Sequence, residues 1–207
     1  LVRQGKVRYL GCSNLFAWQM VKAAGTAARL GLTGFVAGQF LYNLIHREPE
    51  RELLPAAADQ GIGLVAYAPL GAGLLTGKYA GMAEPPKASR FELRKTIDGG
   101  RFWHPRGLQI AQSLEAVSRE CGIPMAKLAL AWPLRRKAVA AVVVGVKSVE
   151  QLKANLEVGD WDLPEDVWRA LEERTRPADE YLTWFNRMNY DKLFAAGEFH
   201  DERAELP

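Results

Sequence analysis

Four short stretches of the chain carry side chains able to grip a ligand. In Gly11-Cys12-Ser13-Asn14, a hydroxyl stands beside a carboxamide. Ser13 and Asn14 could hold a small amide such as that of nicotinamide; the same residue types also cap helix N-termini. Gln39 opens Gln39-Phe40-Leu41-Tyr42-Asn43-Leu44. At the end of a buried strand its amide needs a partner or costs about 1–3 kcal/mol, and a ligand amide or a neighbouring backbone group would serve. Tyr67 opens the third stretch, Tyr67-Ala68-Pro69-Leu70-Gly71-Ala72-Gly73-Leu74-Leu75-Thr76-Gly77-Lys78-Tyr79. Its ring is either a stacking surface or a packed core aromatic. The glycines behind it let backbone N–H groups approach a pyrophosphate closely, and Lys78 adds positive charge. The fourth runs Gly145-Val146-Lys147-Ser148-Val149-Glu150-Gln151-Leu152-Lys153-Ala154-Asn155. A helix starting near Ser148 would offer its N-terminus to an anion with Lys147 just ahead. Gln151 and Asn155 are four apart and share a helix face, where they could meet an adenine. Ser148 and Gln151 also fit a capping box, which leaves Lys147 and Asn155 unexplained.

These stretches fall where strand-like runs give way to helix-like ones. Strands are predicted at Val7 to Cys12, Phe35 to Phe40, Ile62 to Ala66 and Ala138 to Val144, from their β-branched and apolar content. Helical patterns cover 16–30, 48–60, 106–121, 124–136, 148–156 and 164–174. Strand and helix in alternation argue for parallel βα units, and the near-continuous apolar strands argue for burial on both faces. There are four such units, where a (β/α)8 barrel has eight. The segment from Tyr79 to Trp103 is long for a βα loop and reads as a lid or a partly disordered stretch. In parallel βα architectures, ligands gather at the C-terminal ends of the strands, where all four stretches lie.

The bulk numbers set the frame. The 207 residues are 48% hydrophobic and 25% charged, which fits a single domain with a sizeable core. A net charge of +3 is too small to argue for nucleic acid or a membrane surface. Cys12 and Cys121 form neither a CxxC pair nor a zinc spacing, so a reducing, cytoplasmic setting is expected. His46, His104 and His200 are scattered and imply no metal site. No apolar run reaches the roughly 18 residues of a membrane span. The opening Leu1-Val2-Arg3-Gln4-Gly5-Lys6 runs almost at once into the first strand; it reads as the end of a helix that begins upstream.

Taken in order, Gly5 to Asn14, Gln39 to Leu44, Tyr67 to Tyr79 and Gly145 to Asn155 resemble the successive motifs of the aldo-keto reductase superfamily. Glu52-Leu53-Leu54-Pro55 and Tyr181-Leu182-Thr183-Trp184-Phe185 are similar too. The nearest branch is that of the bacterial general-stress reductases and potassium-channel β subunits. The resemblance implies an α/β fold, the C-terminal half of a (β/α)8 TIM barrel, with 1–207 a partial domain that carries the NADP(H) site on strands five to eight. On that basis Ser13, Asn14 and Gln39 hold the nicotinamide carboxamide, and Tyr67 stacks on its ring. Ala68, Pro69, Leu70, Gly71, Ala72 and Lys78 line the pyrophosphate, and Arg90 closes over the cofactor. Gly145, Lys147, Gln151 and Asn155 bind the adenosine part, with Lys147 favouring NADP(H) by pairing with a 2′-phosphate.

Three positions depart from the pattern. Ala68 stands where the family has Ser or Thr, Ala154 where a carboxylate often meets adenine, and Pro133 late in a helix. The family's catalytic Asp, Tyr, Lys and His belong to the first four βα units, so no catalytic residue is assigned here. The implied activity is NADP(H)-dependent reduction of a small aldehyde or ketone once the N-terminal half-barrel is present, with this chain alone inert. The alternative is a non-catalytic, cofactor-binding regulatory subunit.

Overall fold

The computed structural model describes residues 1–178, 180–182, 184 and 185. Thr183 of the Tyr181-to-Phe185 stretch, and the remainder of the expected 1–207 domain, lie outside the described residues.

Four strands form one parallel sheet in chain order: β1 (Leu10–Ser13), β2 (Phe35–Leu41), β3 (Gly63–Tyr67) and β4 (Val139–Val143). Ser13 stands opposite Gln39, Gln39 opposite Val65, Leu41 opposite Tyr67, and Tyr67 opposite Val143. β2, β3 and β4 therefore finish level, and β1 ends two residues earlier. The first strand starts at Leu10 rather than Val7, because its neighbour offers no partner before Phe35.

The helices are α1 (Ala17–Arg29), α2 (Leu53–Asp59), α3 (Arg90–Leu93), α4 (Gly100–Phe102), α5 (Pro105–Cys121), α6 (Met125–Leu134), α7 (Val149–Leu156) and α8 (Glu165–Arg174). The helix expected over 48–60 is broken. A 3-10 turn occupies Glu48–Glu50, and α2 starts only at Leu53, after Glu52 leaves helical backbone angles. Pro49 and Pro55 each sit in a first turn, where a missing N–H costs nothing. Pro133 stands one residue from the end of α6 and is buried; the chain leaves it through tightened turns in which Arg135 and Arg136 N–H groups donate to the Trp132 and Pro133 carbonyls.

Burial corrects one expectation. Along β3 the residues alternate: Leu64 and Ala66 are buried, while Gly63, Val65 and Tyr67 are only partly so. In β2, Gly38 and Phe40 are buried but Gln39 between them is exposed. Helices cover one face of the sheet, and the other face meets solvent among the described residues. The apolar runs are thus buried on one side, not on both. The core holds Met20, Phe40, Leu54 and Leu64 together with Leu114, Leu128 and Trp132.

The long segment after Tyr79 is folded rather than loose. It makes α3, a π-type turn over Lys95–Gly99 and then α4. Tyr79, Phe91 and Trp103 clasp one another edge to face at 5.0–5.4 Å between ring centroids. These aromatics give the segment its own small core, which charge and proline content concealed.

A buried ion cluster ties the loop after β2 to α6 and α8. Arg47 donates to both carboxylate oxygens of Glu50 (2.8 Å each) and to Glu172 (2.7 Å). Arg136 donates to both oxygens of Glu172 at 2.8 Å and to the Tyr42 hydroxyl at 3.1 Å, and the Trp132 indole N–H donates to Glu172 at 2.6 Å. Burial works against the charge on Arg47, but hydrogen bonding and attraction from Glu50, then Glu172, outweigh it and hold its pKa above the ordinary value. Burial first, and Glu50 second, push the Tyr42 hydroxyl far above the usual range.

Candidate functional site

The strand ends set the site. Ser13 ends β1 beside Gln39, and its hydroxyl donates to the Gln39 carbonyl at 2.9 Å. The Asn14 N–H donates to the same oxygen at 3.3 Å, with Asn14 itself in left-handed backbone (φ 55°). The Tyr67 hydroxyl, at the end of β3, donates to Asn14 Oδ1 at 3.1 Å. One hydrogen-bonded chain therefore runs across the ends of β1, β2 and β3.

The capping alternative for Ser13 and Asn14 does not hold. The helix begins later, with Phe16 at its N-cap and the Phe16 N–H donating to Gln19 Oε1 at 2.9 Å. Gln39 also differs from expectation: the strand continues two residues past it, and its side chain is exposed. Its carboxamide has no hydrogen-bond partner among the described residues, and solvent removes the penalty that burial would have imposed. Tyr67 is half-buried at the rim, not packed in the core.

Beyond Tyr67 the backbone folds into a tight, partly left-handed loop. Ala68 (φ 54°), Gly71 (φ 54°), Ala72 (φ 56°) and Gly73 (φ 99°) occupy a region that L-residues other than glycine enter at a cost of about 1–2 kcal/mol. Two alanines there mean that the surroundings hold the loop in shape. The loop closes through Gly71 N–H to the Ala68 carbonyl (3.0 Å) and Gly73 N–H to that of Leu70 (2.8 Å). Pro69 is buried and Leu70 half-buried beneath it. Lys78 folds back over this loop: a Cβ on Gly73 would stand 2.8 Å from Lys78 Nζ. Ala68 to Ala72 and Lys78 thus form one local unit.

The fourth corner follows β4, whose Val143 pairs with Tyr67. Ser148 caps α7, its Oγ accepting from the Gln151 N–H at 3.3 Å. The Gln151 carboxamide turns back and accepts from the Lys147 N–H at 2.9 Å. The capping box expected of Ser148 and Gln151 is made only in its Ser148 half, because Gln151 bonds the N–H one residue before the cap, while the Lys147 side chain stays exposed. Gly145 is open, with nothing within 4 Å of where a Cβ would stand, and Asn155 is half-buried one turn beyond Gln151. Arg90 is not brought to this set. Its Nε donates to Asp98 Oδ2 at 2.6 Å, which engages the guanidinium inside the aromatic segment. Burial raises the pKa of the Cys12 thiol, one residue before Ser13.

One residue of this neighbourhood escapes the sequence reading as a site residue. Asn43 is fully buried. Its Oδ1 accepts from the N–H groups of Ile45 and His46 at 2.9 Å each, and its Nδ2 donates to the Ala68 carbonyl at 2.8 Å. The available signal is an asparagine two residues past a strand, a frequent turn former.

Sheet, helices and strand-end set define a parallel α/β protein whose polar groups meet at one end of the sheet. The chain belongs to the aldo/keto reductase family, whose pattern matches residues 1–175. It is 35% identical over 176 residues to the uncharacterized oxidoreductase YrpG of Bacillus subtilis, covering 83% of this chain and 50% of that protein. It is 36% identical over 178 residues to the aldo-keto reductase AMT2 of Alternaria alternata, covering 84% and 45% respectively. A probable voltage-gated potassium channel subunit beta of Arabidopsis thaliana is 33% identical over 162 residues, 77% of this chain and 49% of that one. The chain spans about half the length of these curated relatives. No helix among the described residues is long and apolar enough to cross a membrane.

Proposed function

We propose that this chain supplies the NADP(H)-binding half of an enzyme that reduces aldehydes or ketones. Its four βα units would be the fifth to eighth of a (β/α)8 barrel. The observation that carries this reading is the grouping of Ser13 and Asn14 at the end of β1, Gln39 beside Ser13 on β2, and Tyr67 at the end of β3 with its hydroxyl on Asn14. The residues present fit a dinucleotide. Gln39 keeps a free carboxamide beside Asn14, Tyr67 offers a half-exposed ring, and Gly145 leaves open space next to the exposed Lys147 side chain.

When bound, the reduced nicotinamide supplies the hydride that turns a carbonyl into an alcohol. This chain binds and orients. Gln39 and Asn14 take the carboxamide, so the ring is fixed in rotation, and Tyr67 covers one of its faces. The left-handed loop from Ala68 to Ala72, with Lys78 across it, receives the pyrophosphate. Lys147 pairs with the 2′-phosphate, and Asn155 faces the adenine. Gln151 reaches the adenine only by releasing the Lys147 N–H. Arg90 closes over the cofactor only by leaving Asp98. The resemblance assigns the proton donor to the first four βα units, so the chain alone is expected to be inert. Both cysteines are free thiols, which supports a cytoplasmic setting.

Titration with NADPH, followed by nicotinamide fluorescence, tests the reading. Wild type should enhance the emission, and Lys147→Ala should weaken NADPH about tenfold, as for a lost charged hydrogen bond, while leaving NADH nearly unchanged. Equal loss for both nucleotides would move the 2′-phosphate away from Lys147, and absence of any response in a preparation joined to its N-terminal half would refute the cofactor site. The channel-subunit relative raises a second reading, a cofactor-binding regulator. It predicts nucleotide binding without carbonyl turnover in that joined preparation.

A further inference from the structure

Asn43 is fully buried, and its side chain spans from the β2 corner to the β3 corner. Its carboxamide makes three directed bonds. Oδ1 accepts from two consecutive backbone N–H groups, of Ile45 and His46, which closes a turn on its own loop and fixes the amide plane. That leaves Nδ2 aimed at the Ala68 carbonyl, 2.8 Å away. The same carbonyl also accepts from the Gly71 N–H at 3.0 Å. Ala68 is left-handed, a conformation that an alanine abandons unless something holds it. The two donors on its carbonyl are what the structure offers as that hold, and one of them comes from the loop after another strand.

We propose that Asn43 is a positioning residue for the nucleotide site: it locks Ala68 in left-handed backbone and thereby sets both the rim position of Tyr67 and the shape of the loop from Ala68 to Ala72. The proposal rests on the cofactor reading above only for its functional consequence. The backbone lock itself stands on the three hydrogen bonds. A burial role alone would need an apolar residue of the same volume, not a carboxamide with both its oxygen and its nitrogen engaged.

The test pairs Asn43→Asp with a rescue. Aspartate keeps an oxygen for the Ile45 and His46 N–H groups but turns an acceptor toward the Ala68 carbonyl at neutral pH. NADPH affinity should fall about tenfold in N43D, as for a lost buried hydrogen bond. Adding Ala68→Gly, which removes the left-handed penalty, should restore it to within about threefold of wild type. Amide exchange without nucleotide is the independent readout. N–H groups of 70–77 should exchange faster in N43D and recover in the double variant, with the β-sheet amides unchanged. Failure of the added Ala68→Gly change to rescue either readout, or unchanged exchange in N43D, would overturn the lock. If exchange follows the lock while wild type binds no NADPH, the positioning of the loop stands and the cofactor reading falls.

Discussion

Replacing Glu172 by alanine should be among the most damaging single changes away from the strand ends. Its carboxylate accepts from Arg47 at 2.7 Å, from Arg136 at 2.8 Å and from the Trp132 indole at 2.6 Å. The Arg47 and Arg136 side chains are 3% and 13% exposed, so little water can replace it. Removing one partner of such a pair costs about 3–5 kcal/mol, since the surviving charge stays buried. Glu50 remains, bonded to Arg47 at 2.8 Å and 3.3 Å from Arg136, and part of Glu172 already reaches solvent. The lower end, about 3 kcal/mol, is therefore expected. For a chain of this size that is a fall of about 6–12 °C in Tm. Thermal unfolding followed by far-ultraviolet circular dichroism would measure it. Arg174→Ala, which breaks an exposed pair with Glu120, serves as the reference and should leave Tm unchanged within error. A Glu172→Ala protein melting within about 2 °C of wild type would refute the claim that this cluster joins the β2 loop to α6 and α8.

Two further outcomes follow from local geometry. Gly107 has ordinary backbone angles, but a Cβ there would lie 2.0 Å from the Phe102 carbonyl oxygen. Gly107→Ala should lower stability by about 1–3 kcal/mol in urea unfolding, and a neutral result would mean that the turn from α4 to α5 yields freely. Burial raises the Cys12 pKa, so protection of the neutral thiol stabilises the fold below the unfolded thiol's pKa and is lost as pH rises through the folded value. Iodoacetamide alkylation of Cys12 should accordingly reach half-maximum at higher pH in the native protein than in urea; coincident profiles would contradict it.

The polar strand ends are legible in the sequence because chemistry and turn signals coincide there. Ser13, Asn14 and Tyr67 are polar residues at the limits of apolar runs, and the Tyr67 hydroxyl reaches across β2 to Asn14. The state of Gln39 is not legible. Apolar composition marks a strand but does not say how many of its faces a helix covers. Gln151 illustrates a different limit: its spacing from Ser148 fits both a capping box and a ligand contact, and the fold shows its side chain on the Lys147 N–H instead, with only the Ser148 half of the box made. The bonds from Arg47 to Glu172 cross 125 positions, and no periodicity in α8 announces such a partner. Arg90 meets the same obstacle, since the buried Asp98 that engages it looks like any loop carboxylate in the sequence.

The in-order arrangement of the strands has a kinetic corollary. Joining β1 to β2 closes a span of 26 residues between Ser13 and Gln39, and the step to β3 is of similar length. Joining β4 requires closing the 76 residues from Tyr67 to Val143, because the aromatic segment, α5 and α6 intervene. The extra chain entropy is modest, about 1 kcal/mol, but α5 and α6 must also dock before β4 has a surface to lie on. A growing polypeptide can therefore assemble its first three strands while the last is still being synthesised, and the slow phase of refolding should report the arrival of β4.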